Sequence, residues 1–171
     1  MKNKTKSLYL FRIFLLLSII LNAFILINAF IPGDDSAVAS FWVADILATI
    51  INFLKTDTIN SGNIEMFTYV IRKLIGHFGL FLVDGVFLSL VFYFFEKGDK
   101  KMNFWVSSLL IILVGTFVAS ISETIQIFIP GRIGSINDVL IDVGGYLTSF
   151  AIVFLFFLSN RLKNKRSLKG N

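Results

Sequence analysis

The chain has 171 residues, 56% hydrophobic and only 16% charged, with a formal net charge of +5. Its mean hydropathy is +0.80, and soluble domains, where about a quarter of residues are charged, do not look like this. With no cysteine, disulfides, thiolate catalysis and cysteine-ligated metals are excluded, and with one histidine, His77, so is the HExxH type of zinc site.

Four apolar blocks are long enough to cross a bilayer, which takes about 20 residues. They lie at residues 8–30, 74–95, 104–128 and 136–158. The first follows Lys2, Lys4 and Lys6 and exits through INAFIPGDD without a small-residue cleavage pattern, so it reads as an uncleaved signal anchor. Residues 31–71 form a loop. Within it FWVADILATIINFL, Phe41 to Leu54, is too short to span and reads as an interfacial helix capped by Ser40. The expected fold is an all-α membrane bundle of four transmembrane helices plus this short extracytoplasmic helix, in a single domain covering 1–171.

Orientation follows from lysine and arginine in the short flanking segments. Lys2, Lys4, Lys6 and Arg12 precede the first span, Lys97, Lys100 and Lys101 sit in EKGDKK, and Arg161, Lys163, Lys165, Arg166 and Lys169 are in the tail. The other side has only Lys55, Arg72, Lys73 and Arg132. Both termini are therefore expected to be cytoplasmic in a multi-pass protein of the cell membrane. Basic residues confined to the ends of apolar runs do not point to nucleic acid.

The spans carry ionisable groups, which are expensive there and usually functional. On a regular helix, at about 100° per residue, Lys73, His77 and Asp84 share one stripe. Glu123 and Gln126 share a face three residues apart, and Asp138 and Asp142 share another one turn apart. Ser135 followed by Asp138 has the spacing of a capping box after the Pro130-Gly131 break. The basic set Arg72, Lys73, His77 and Arg132 matches the depth of the acidic set Asp84, Glu123, Asp138 and Asp142, so a mutual network is expected, with Arg132 in reach of Glu123, Asp138 or Asp142. Simpler readings fit single residues: snorkelling for Arg72 and Lys73, capping for Asp138, helix–helix bonding for Glu123 with Gln126.

Two blocks, RKLIGHF (Arg72 to Phe78) with Phe81 following, and SETIQIFIPGRIGSINDVLIDVGGY (Ser122 to Tyr146), resemble the VanZ-like family of bacterial membrane proteins. The second follows the family pattern at Glu123, Gln126, Gly131, Arg132, Asp138, Asp142 and Gly145. Asp84 stands where the family is more often aliphatic, and Asp142 where it often has Asn. The family is named for a protein that raises resistance to the glycopeptide teicoplanin, so the resemblance implies a role in the cell envelope. Three functions are compatible with the residues. The favoured one is recognition of an amphiphile with a polar head, such as a lipoglycopeptide, an anionic lipid or a lipid-linked wall precursor, for which Arg72, Lys73 and Arg132 suit phosphate or carboxylate. The alternatives are acid–base catalysis on a lipid head group and proton-coupled transport. No activated nucleophile is recognisable, and neither a metal nor another cofactor is expected; membrane lipids are the expected partners.

Overall fold

The computed structural model describes residues 2–98 and 104–167, and every regular element among them is helical. In order they are α1 (Lys2–Ala29), α2 (Gly33–Leu54), α3 (Ile64–Ile71), a π-helical stretch (Arg72–Gly79), α4 (Leu80–Gly98), α5 (Phe104–Ile127) and α6 (Ile136–Ser167). From α3 through α4 the helix runs without a break. Lys100, Lys101 and Lys169, which carry part of the charge asymmetry, lie outside the described residues.

Among the described residues five helical stretches are long and apolar enough to cross a membrane, so the four-plus-one expectation is corrected. The helix expected over Phe41–Leu54 starts at Gly33 and has 22 residues. Pro32 sets its entry, and Asp34 and Asp35 in its first turn complement the positive end of the helix dipole, which extends it upstream of the apolar run. Ser40 is therefore inside the helix, with Oγ donating to the Ser36 carbonyl at 2.8 Å, and is not a cap. The span expected over 74–95 also begins earlier, at Ile64.

α1, α4, α5 and α6 form an antiparallel bundle, with α4 packed on α1 and α6. Ser7 Oγ donates to the Phe94 carbonyl at 2.8 Å near one end, Ser18 Oγ to Asp84 Oδ1 at 2.8 Å midway, and Gly33 N to the Pro130 carbonyl at 2.9 Å at the other end. The start of α1 and the far end of α6 are thus at the same end of the bundle. α2 packs mainly on α3. Its first residue touches the α5–α6 turn, while near its end Asn52 makes two hydrogen bonds to the backbone of Ile59, in the loop that leads to α3. Both ends of α2 therefore lie at the end of the bundle opposite the chain termini.

Small residues set the closest approaches. Gly131 has φ +71 and lies against Gly33, where an added Cβ would be 1.9 Å from the Gly131 carbonyl oxygen. On α6 a Cβ at Gly145 would fall 2.6 Å from the Phe78 carbonyl oxygen and 2.9 Å from Leu82 N, so only glycine lets α6 meet the π stretch and α4 at this distance. Replacing Gly145 by Ala is expected to cost about 1–3 kcal/mol, the range for forcing extra atoms into a packed interface. It should appear as a lower thermal midpoint in detergent. The core beside it holds Ile25, Phe81, Leu88, Ile111, Val118, Ala119, Val139 and Tyr146.

Candidate functional site

The π stretch carries Arg72, Lys73 and His77. Such stretches are rare and often sit at functional sites. Here one widened turn presents Lys73 and His77 to the first turns of α6. Lys73 Nζ, itself partly exposed, donates to the buried Asp138 Oδ1 in an ion pair, and stands 5.4 Å from the centre of the Tyr69 ring. His77 Nδ1 is 3.2 Å from Asp142 Oδ1 and 3.9 Å from Glu123 Oε1, and Nε2 is 3.9 Å from Asp138 Oδ2.

Glu123 is fixed from two sides. Gln126 Nε2 donates to Oε1 at 2.8 Å, and the backbone N–H of Ser135 donates to Oε2 at 2.9 Å. The capping box expected at the start of α6 is therefore only half formed. Ser135 Oγ accepts from Asn137 N at 3.2 Å, but the Ser135 N–H goes to Glu123, because Asp138 is engaged by Lys73. Lys73, His77, Glu123, Gln126, Asp138 and Asp142 thus form one cluster, in which His77 and the three carboxylates are each at most 9% exposed.

Arg132 and Arg72 lie elsewhere. The Gly131–Gly33 contact turns Arg132 toward the α1–α2 joint, so that it makes no ion pair with Glu123, Asp138 or Asp142, against expectation. Nη1 donates to Ser36 Oγ at 2.5 Å and Nη2 to the Asn28 carbonyl at 3.3 Å. Nε is buried without a partner. Burial, then the charge of Arg72, lowers the pKa of this guanidinium, while Glu123 and Asp138 act in the opposite sense. Among the described residues neither arginine makes an ion pair.

Both arginines line a cavity of about 390 Å³ between the end of α1, the first half of α2, the π stretch and α5. Its walls are largely apolar, from Ile25, Val43, Ile71, Ile75, Leu80 and Phe81. Ser36, Ser40, Asp35, Gln126 and His77 add polar edges, so His77 belongs to both the cavity wall and the carboxylate cluster.

Asp84 is separate again. Ser18 Oγ and Asn22 Nδ2 each donate to it at 2.8 Å, and the Tyr146 hydroxyl donates to Oδ2. Sequence reasoning does not anticipate these three donors. A serine and an amide four residues apart in an apolar span, and a tyrosine one turn after Asp142, are the signals that could have found them.

A family model matches residues 14–157, under the description VanZ/LLP1. The chain belongs to the VanZ/LLP1 family. The match spans α2 to α5 in full and most of α1 and α6, so both the carboxylate cluster and the arginine-lined cavity lie within the VanZ/LLP1 region. Comparison with curated proteins and with solved structures found no match.

Proposed function

We propose that this VanZ/LLP1 protein binds the phosphate or carboxylate head of an amphiphile in the outer leaflet of the cell membrane. The occupant would be an anionic lipid, a lipid-linked wall precursor or a lipoglycopeptide. The observation that carries the reading is the pair Arg72 and Arg132, both without an ion-pair partner, on one cavity with apolar walls. An unpaired, half-buried guanidinium is costly, and an anionic head offsets that cost through charge-assisted, two-point hydrogen bonds. Apolar walls of this volume suit the first methylenes of a chain. A role in the envelope's response to glycopeptides is consistent with such a site.

The test is native mass spectrometry of the protein in nanodiscs of phosphatidylcholine doped with phosphatidylglycerol. Wild type should retain phosphatidylglycerol preferentially. Each charge-assisted bond lost is worth about 1.5–3 kcal/mol, so the Arg72→Gln/Arg132→Gln variant should bind it at least about tenfold more weakly. Ser36→Ala removes a structural partner of Arg132 but keeps the guanidinium, and should retain the lipid. Wild-type retention by the double arginine variant would end this reading.

In this reading the chain termini face the cytoplasm and the cavity faces outward, as the distribution of basic residues favours. Reporter fusions after Lys101 and Lys169 should read cytoplasmic, and one at Thr58, in the loop between α2 and α3, external. An external fusion at Lys169 contradicts the orientation.

A further inference from the structure

His77, Glu123 and Asp142 each offer one ligand atom to a common space, and these atoms all lie within 4.8 Å of one another. For an ion with ligand bonds of about 2.1 Å, tetrahedral ligand atoms are about 3.4 Å apart. The 3.2 Å separation of His77 Nδ1 from Asp142 Oδ1 and the 3.9 Å separation from Glu123 Oε1 bracket that spacing.

A second observation is independent of the clustering. Asp142 is fully buried, and its Oδ2 has no hydrogen-bond partner. Buried polar atoms are nearly always satisfied, and an orphan calls for an unseen ion or water. Charge points the same way. Three buried carboxylates, Glu123, Asp138 and Asp142, lie together, and apart from His77 the one basic side chain among the described residues in direct ion-pair contact with them is Lys73, Arg132 acting on Glu123 and Asp138 only from farther off. A divalent ion would add positive charge where the carboxylates meet.

We propose that His77, Glu123 and Asp142 bind a divalent metal ion, with Asp138 and Lys73 completing the charge balance. One imidazole and two carboxylates suit Mn²⁺ or Zn²⁺; Mg²⁺ and Ca²⁺ prefer all-oxygen sets. Gln126 and the Ser135 N–H orient Glu123 as supporting groups do around metal ligands. Neither the CxxC nor the HExxH spacing is needed, because the ligands come from the π stretch, α5 and α6. The ion is detected without any lipid, so this proposal stands or falls separately from the anionic-head reading.

The experiment uses the full chain in detergent, stripped with EDTA and then titrated with Mn²⁺, Zn²⁺ or Mg²⁺ alone. Elemental analysis after gel filtration should find about one Mn²⁺ or Zn²⁺ per chain, with a raised thermal midpoint, since an ion that binds the folded state stabilises it. Mg²⁺ should have little effect. Asp142→Asn should abolish stoichiometric binding, whereas Asp45→Asn, at an exposed carboxylate, should not change it. If Asp142→Asn does not accumulate, Gln126→Ala decides: affinity about 10–100-fold weaker supports the site, and unchanged affinity overturns it. Wild type that binds no more than background, or full binding by Asp142→Asn, also overturns it.

Discussion

Lys73→Met is expected to destabilise the protein by about 3–5 kcal/mol, the cost of leaving a buried charge without its partner. Asp138 lies at 5% exposure and pairs with Lys73, and Glu123 and Asp142 are as deeply buried nearby. Loss of the ammonium therefore exposes Asp138 to its own desolvation and to like charges. Methionine keeps most of the stem volume, so the effect is electrostatic and not a cavity. The double variant Lys73→Met/Asp138→Leu should recover most of the loss, because removing both members of a buried pair is often near neutral. A double-mutant cycle on unfolding in detergent measures this coupling. Additive losses would mean that the pair is effectively solvated and worth little.

Asp84→Leu should cost roughly 2–5 kcal/mol, since it leaves three donors, Ser18, Asn22 and Tyr146, without their acceptor at about 0.6–1.7 kcal/mol each. Tyr146→Phe removes one of those bonds and should cost about a third as much. The comparison matters because Asp84 ties α1, α4 and α6 together at mid-bundle and touches neither the cavity nor the carboxylate cluster. Phosphatidylglycerol retention by Asp84→Leu protein that still folds should therefore match wild type. Equal destabilisation by Asp84→Leu and Tyr146→Phe would show that the tyrosine bond alone holds this junction.

Long apolar blocks made four of the helices legible, because hydrophobic length is a direct consequence of bilayer thickness. The fifth was hidden by Asp34, Asp35 and Ser36, which break the apolar run yet extend the helix by favouring its N-terminus. The π stretch was hidden for another reason. A regular wheel places Lys73, His77 and Asp84 on one stripe, but i→i+5 turns between them rotate the residues further along the helix, and Asp84 turns to α1 and Tyr146. Glu123 with Gln126, and Asp138 with Asp142, were readable as pairs because α5 and α6 keep the 3.6-residue period there. That Arg132 leaves the carboxylates was not readable. It depends on a backbone contact between Gly33 and Gly131, distant in sequence, that aims the turn toward α1 and α2.

This geometry divides the ionisable groups by task. Asp84 and its donors fasten the helices, the Lys73–Asp138 pair holds the π stretch against α6, and the two arginines are left with unused hydrogen-bonding capacity. An anionic head is proposed to fill that capacity, and an experimental structure in a nanodisc containing phosphatidylglycerol is the sharpest check. A phosphate should lie within about 2.7–2.9 Å of guanidinium nitrogens of both Arg72 and Arg132, with the acyl chains running along Ile75 and Val43. A cavity holding only acyl chain or solvent, with either arginine folded back onto Asp35, would contradict it.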